Sequence, residues 1–279
     1  MKNILFCGNY KVFDGMLSAM LSIFKRTESK EPFAFFIFTM DVSYLKADYT
    51  PLTDSQALFL DSLAKTYNPE NCVKKIDVTD IYKREFDSCP NEQCYCSPYT
   101  LIRLFADLYE ELPEKILYLD VDILFNRDID LLWNTDIEGF EYAAARDHYG
   151  KFLINPNFIN AGVILFNLKK CRETKLFEKC RELIKTKKLV FADESAIIRC
   201  TTKKKILSQR FNDQKFLYKN TVIRHFSKRL FWTPYPHTAN IKQWSVTKVH
   251  KIFGYENFDD ILYEYIYQKN KFEREFNKN

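Results

Sequence analysis

Short, unbroken apolar runs set between segments of helical period constrain the fold of this 279-residue chain more than any other feature. Phe33-Ala34-Phe35-Phe36-Ile37-Phe38 is too short for a buried helix and apolar on both faces, the pattern of a strand covered from both sides. Residues 3–7 repeat that pattern. They lead through Gly8-Asn9-Tyr10 into a segment, about 14–25, with Leu17, Met20, Leu21 and Phe24 at helical spacing. Helices are predicted over 53–65 and 97–111, the second with Leu101, Leu104, Phe105 and Leu108 on one side, and a weaker strand over 73–78. Three more strands are predicted at 116–120, 142–146 and 161–167. Alternating strands and helices imply an α/β fold with a mostly parallel sheet, helices on both faces, and ligands at the carboxyl ends of the strands.

Past residue 212 the alternation stops, and an aromatic, basic, Pro-containing stretch leads to a helix predicted over 259–274. The division expected is a main α/β domain, 1–212, and a C-terminal helical and aromatic annex, 213–279, packed on it. From Gln214 to Tyr255 there are eight Lys or Arg and no acid, together with three of the four His. Such a segment is either a solvated basic face turned to nucleic acid or anionic lipid, or a cover for an anionic substrate such as a diphosphate. Tyr263, Tyr267, Phe272 and Phe276, beside Lys269, Lys271 and Arg274, would either pack on the core or rest on a membrane surface.

Composition excludes several classes. With 46% hydrophobic and 28% charged residues the chain is neither disordered nor membrane-spanning, and no apolar run approaches the roughly 20 residues that cross a bilayer. The opening MKNILFCGNY reads as a strand, not an export signal, so a cytoplasmic protein with reduced thiols is expected. Cys89, Cys94 and Cys96 lack a fourth ligand and match no zinc pattern. Only 6 Gly are present, so phosphate must be held by metal and basic side chains, not by a glycine-rich loop.

Chemistry concentrates in Lys115-Ile116-Leu117-Tyr118-Leu119-Asp120-Val121-Asp122-Ile123-Leu124-Phe125, where two carboxylates interrupt an apolar strand. Alternation places both on one face. Two partly buried carboxylates repel unless they share a proton or bind a cation, and their oxygens suit Mg2+ or Mn2+ bridging phosphates. The same two residues could instead cap the turn at the strand end. His225, in Val222-Ile223-Arg224-His225-Phe226, offers an imidazole ligand, and Arg103 a guanidinium for phosphate. Asp193 and Glu194 would either face sugar hydroxyls and an oxocarbenium-like centre or occupy a helix N-terminus, where acids are favoured anyway.

Four blocks in order, YLDVDILF (118–125), INAGVILFNL (159–168), ADES (192–195) and HF (225–226), resemble glycosyltransferase family 8, which includes bacterial lipopolysaccharide galactosyl- and glucosyltransferases and glycogenin. The resemblance covers nearly the whole chain. It implies a GT-A fold and retention of configuration in hexose transfer from a UDP-hexose, galactose or glucose, to a glycan or lipid-linked acceptor. It further implies Mn2+ or Mg2+ held by Asp120, Asp122 and His225, with Asp120 also near the ribose and Arg103 near the donor. Asn160, Ala161 and Gly162 match the segment beside the donor sugar, Asp147 an acid that holds its hydroxyls, and Asp193 and Glu194 the catalytic position beneath it. Asn9 and Tyr10 match the start of the nucleotide site.

Two departures stand out. The family often has an acid before the Asn-Tyr pair, where this chain has Cys7-Gly8. Its lysine six residues after the histidine is here Phe231, so Lys228, Arg229 or Lys242 would take the diphosphate; Lys242, in Ile241-Lys242-Gln243-Trp244, resembles the family's Lys-Pro-Trp with an insertion. Metal-dependent phosphoryl or nucleotidyl transfer and a non-catalytic basic binding module are the competing classes. The expected partners are the donor, the acceptor and a membrane surface touched through the C-terminal helix, at the inner face of the membrane, with no nucleic acid.

Overall fold

The structure, a computed structural model, describes residues 1–92 and 97–276; Cys94 and Cys96 lie outside them. A seven-stranded sheet runs in the order β3-β2-β1-β4-β7-β6-β8, built from β1 (Lys2–Cys7), β2 (Phe33–Thr39), β3 (Cys72–Asp77), β4 (Lys115–Leu119), β6 (Tyr142–Arg146), β7 (Ile159–Asn167) and β8 (Lys204–Leu207). Only β7 is reversed, pairing antiparallel with β4 and β6, so the sheet is mostly parallel as the alternation predicts.

The unbroken apolar runs follow from the two layers. In β1 and β2, Ile4, Phe6, Phe33, Phe35 and Ile37 point into one core, with the Phe13–Arg26 and Asp54–Tyr67 helices. Leu5, Ala34, Phe36 and Phe38 point into the other, under the Thr79–Phe86, Leu176–Thr186 and Ala192–Cys200 helices. Each fully buried Phe contributes about 2 kcal/mol, which no one-sided strand would recover. Thr53 starts the second helix as a capping box: its hydroxyl accepts from the Gln56 amide at 3.1 Å and the Gln56 side chain accepts from the Thr53 amide at 3.0 Å.

Three elements differ from expectation. The segment read as a helix over 97–111 is a 3₁₀ helix, Pro98–Leu108, long for its kind because its apolar side is buried and Arg103 is tied into the sheet. The strand read as continuous through the aspartates breaks: β4 ends at Leu119, the chain bends at Val121 and Asp122, and β5 resumes at Ile123–Phe125. β5 belongs to a separate two-stranded sheet with β9 (Ile223–His225), so the annex enters the domain's core directly.

The annex continues through a hairpin, Arg229–Phe231 with His237–Ala239, to the helix Asp259–Phe276. This last helix covers the core: Ile261, Leu262, Tyr265 and Phe272 are buried, and the Phe272 ring lies 4.6 Å from that of Phe13. Lys269 bonds Asp14 at 2.8 Å, while Tyr263 and Tyr267 stay exposed. No helix among the described residues is long and apolar enough to cross a membrane.

Candidate active site

The bend after β4 is made by backbone bonds. The Asp120 amide donates to the Gly162 carbonyl at 2.7 Å, and the Phe226 amide donates to the Asp122 carbonyl at 2.7 Å. Pairing of β5 with β9 sets Ile123 opposite His225, which carries the imidazole beside both carboxylates. His225 Nε2 lies 3.1 Å from Asp122 Oδ1 and 3.9 Å from Asp120 Oδ2, and one ligand atom from each residue falls within 4.8 Å of the others. The two aspartates therefore meet through a turn at the strand end and not through strand alternation.

Gly162 makes the approach feasible. A Cβ there would lie 2.3 Å from His225 Cε1 and 2.8 Å from Asp120 Oδ2, closer than any side chain tolerates.

A chain of amides orients the imidazole. The Gly162 amide can only donate, and it points at Asn160 Oδ1 (3.1 Å), so Asn160 turns its NH₂ to the Asp147 carboxylate at 3.1 Å. Asn212 must then present its NH₂ to Asn160 Oδ1 (2.9 Å) and its oxygen to His225 Nδ1 (2.9 Å). Nδ1 carries the hydrogen, and Nε2 is left facing the carboxylates. Nε2 and the carboxylate oxygens of Asp120 and Asp122 thus converge, a donor set that could hold a cation between them. One imidazole and two carboxylates fit a divalent ion such as Mn2+ or Mg2+.

Burial opposes ionisation of Asp122, but the charges of His225 and Lys242 and their hydrogen bonds more than offset it, holding its carboxyl well below the usual range. Lys242 is ion-paired to Asp122 and also donates to the Phe226 carbonyl at 3.3 Å. Lys228 is exposed and does not line the cleft described below. Arg224 is buried, stacked 5.0 Å from the Phe226 ring, so not all of the basic segment faces a substrate.

Arg103 is buried over the Tyr118 ring at 3.9 Å. It donates to the Ala161 carbonyl at 2.6 Å and pairs with Asp120 at 3.3 Å and Asp193 at 3.2 Å. Asp193 is thus turned inward, and burial raises its pKa despite Arg103. Glu194, in the same first helical turn, accepts from the Ala161 amide at 2.9 Å; burial pushes its carboxyl up to about 8, with Asp193 and Asp147 adding to the effect. Asp193 and Glu194 do occupy the first turn of the Ala192–Cys200 helix, the position where acids are favoured in any case.

A cleft of about 300 Å³ opens at the carboxyl ends of β1 and β4, where strand order reverses. Asn9, Arg103, Asp120, Asp122 and Lys242 line it, with Tyr99 and Trp244 as aromatic walls. Cys7 lines the cleft two residues before Asn9, its thiol pushed up by burial and so neutral. Asn9 donates to the Asp48 carbonyl at 3.4 Å; Tyr10 is only partly buried and is not among the lining residues. Asp147, Asn160, Ala161 and Glu194 sit behind Gly162, joined to the carboxylates by the bonds above.

Sequence reasoning missed Asn212, Tyr118 and Gln243. The Tyr118 hydroxyl bonds Asp120 at 2.6 Å, and buried Gln243 donates to the Val121 carbonyl at 2.8 Å. Tyr118 could have been found from its i,i+2 spacing to Asp120, whereas Asn212 and Gln243 reach partners 13 to 122 positions away that no local pattern marks.

The sequence profile of glycosyl transferase family 8 matches residues 3–230. A putative glycosyltransferase of Haemophilus influenzae is 28% identical over 223 residues, covering 75% of this chain; the chain spans 62% of that relative's length. Among solved structures, the galactosyltransferase LgtC, in complex with donor and acceptor sugar analogs, superposes with a TM-score of 0.67 at 18% identity, over 94% of this chain and 95% of that one. The glycosyltransferase GlyE of Streptococcus pneumoniae does so at 0.61 and 18%, over 96% of this chain and 65% of its own. The likeness to LgtC is one of fold: a mixed α/β domain of GT-A type with a helical C-terminal region.

Proposed function

The chain belongs to glycosyl transferase family 8, and on that premise we propose that it is a metal-dependent, retaining hexosyltransferase moving galactose or glucose from a UDP-sugar to a glycan or lipid-linked acceptor. The observation that carries the reading is the convergence of Asp120, Asp122 and His225 at the switch point of the sheet, beside a cleft of nucleotide size. LgtC, described with donor and acceptor sugar analogs, supports the substrate class.

In this reading Asp120, Asp122 and His225 hold Mn2+ or Mg2+. A bound divalent ion supplies charge against the diphosphate of the departing UDP. The protein's own groups do the rest. Tyr99 and Trp244 enclose the base with Asn9 at its edge and Tyr10 next to it in the chain, outside the lining, and Lys242 meets the diphosphate, with Lys228 the alternative. Arg103 keeps Asp120 and the Ala161 carbonyl in register. Asp147 and Asn160 hold sugar hydroxyls, while Glu194, with Asp193 behind it, faces the anomeric carbon. Residues 1–212 form the catalytic domain and 213–279 the annex that supplies His225 and Lys242. The protein works in the cytoplasm at the inner face of the membrane.

Calorimetric titration with UDP, UDP-galactose, UDP-glucose and UDP-N-acetylglucosamine, each with and without Mn2+, tests this on the wild type and on Asp122→Ala. Micromolar binding that needs both Mn2+ and Asp122 is expected. Absence of binding by every UDP species would remove the proposal and favour phosphoryl transfer or a binding module.

A further inference from the structure

Among the described residues the three most exposed large apolar side chains are Leu153 (80%), Phe152 (77%) and Val190 (74%), and the first two directly precede Ile154, which shares a groove with Val190. Phe152 and Leu153 end the short helix Gly150–Leu153 after β6; Val190 lies just before the helix Ala192–Cys200. Ile154 and Val190 line the same shallow groove of about 430 Å³, floored by Phe158 and Phe191, whose ring centroids are 6.3 Å apart.

The tip is built, not frayed. Asp147 Oδ1 accepts from the amides of Tyr149 (3.0 Å) and Gly150 (2.6 Å), and Gly150 packs so closely on Phe158 that a Cβ would lie 2.5 Å from its ring. Residues 152–154 consequently project instead of folding back onto the core.

The exposed charges in residues 147–158 and 187–199 are all cationic, since Asp147 is partly buried and turned onto the tip's own amides. Lys187, Lys188 and Arg199 are exposed, and the Lys151 ammonium lies 5.1 Å from the Phe152 ring. The only acids in residues 148–158 and 187–199 are Asp193 and Glu194, and both are turned inward, onto Arg103 and the Ala161 amide. An exposed apolar patch inside a cationic collar marks an interaction surface. A two-fold contact between copies would set like-charged collars against each other, whereas an anionic bilayer answers both parts of the surface at once.

We propose that this tip docks on an anionic lipid surface, with Phe152, Leu153, Ile154 and Val190 entering the boundary between headgroups and acyl chains and Lys151, Lys187, Lys188 and Arg199 over the headgroups. The C-terminal helix is the weaker surface, since Phe272 packs inward and Lys269 is bonded to Asp14. Val190 and Phe191 run directly into the turn carrying Glu194, so docking presents that side of the site to a lipid-linked acceptor. This consequence rests on the hexosyltransferase reading; the docking itself does not.

Cosedimentation of the whole chain with vesicles, without donor or acceptor, tests the docking separately from that reading. Vesicles of phosphatidylcholine with about one-third phosphatidylglycerol are compared with phosphatidylcholine alone. The variants are Phe152→Ser/Leu153→Ser/Val190→Ser and Tyr263→Ser/Tyr267→Ser, all at exposed positions, with thermal melting as the check on folding. Expected are binding of the wild type to anionic vesicles that weakens with salt, a loss of about tenfold or more in the triple variant, and little change in the tyrosine variant. The proposal is overturned if the wild type stays in solution with anionic vesicles, if the triple variant sediments like the wild type, or if only the tyrosine variant is released. It is also overturned if the wild type self-associates without lipid and the triple variant does not, which would assign the tip to a second copy.

Discussion

His225 Nδ1 and the side-chain oxygen of Asn212 lie 2.9 Å apart, both residues buried, and this bond decides which imidazole nitrogen faces Asp120 and Asp122. Asn212 is itself oriented by Asn160, and Asn160 by Asp147 and the Gly162 amide, so the Asp147 carboxylate, three hydrogen bonds removed from the imidazole, sets the tautomer of His225.

Asn212→Leu keeps the volume and removes the acceptor. Loss of an outer partner of a ligating histidine typically costs ten- to a hundredfold in metal affinity, and a drop of roughly that size is expected here. Titration of Mn2+ in the presence of UDP, followed by electron paramagnetic resonance, measures it. Unchanged affinity would mean that the ring is held by packing alone.

Glu194 makes stability depend on pH in a definite direction. Burial raises its pKa from 4.5 to about 8, so across that window the folded state keeps a proton that the unfolded chain has released. Stability must fall as pH rises through the window, at up to about 1.4 kcal/mol per pH unit. Urea midpoints at successive pH values are expected to show this fall in the wild type and a flatter profile in Glu194→Gln. If the Glu194 anion takes part in transfer, kcat rises as pH passes through about 8, and that rise is lost in the variant.

Gly162→Ala introduces a methyl carbon 2.3 Å from His225 Cε1. Either the imidazole or the aspartate bend must move, at a cost of about 1–3 kcal/mol, and donor-dependent activity is expected to fall by two or more orders of magnitude, since an ångström of misplacement costs about a hundredfold. Thermal melting and initial rates separate the two effects. Wild-type kinetics in this variant would show that the close approach is unnecessary.

Lys242 and Lys228 are distinguished by position, one paired to Asp122 in the cleft and the other exposed. Lys242→Met is expected to lower kcat for a UDP-sugar by about ten- to a thousandfold, the scale of losing one electrostatic contact to a leaving group, while Lys228→Met changes it little. Equal losses from both would place the diphosphate nearer the hairpin than the cleft suggests.

The parallel sheet was legible because a strand covered on both faces writes itself as an unbroken apolar run: Phe33 to Phe38 alternates between two cores, and no other local structure needs that pattern. Asp120 and Asp122 were legible as charges that an apolar segment would otherwise exclude. The break between them was not, because the residues on either side are as apolar as a continuous strand, and only backbone bonds to Gly162 and Phe226 bend the chain. Arg103 read as a helical guanidinium for phosphate; in the fold its bonds go to Ala161, Asp120 and Asp193.

Short-range periodicity and residue chemistry, carried by the sequence itself, determined the layers, the sheet direction and the identity of the charged groups. Tertiary structure alone decided their partners. Ile123 meets His225 across 102 positions because two three-residue strands pair, and Asn160 meets Asn212 across 52 because an amide needs both a donor and an acceptor once buried. Bonds of that kind satisfy polar groups removed from water, and nothing in the local sequence records which distant group will do so.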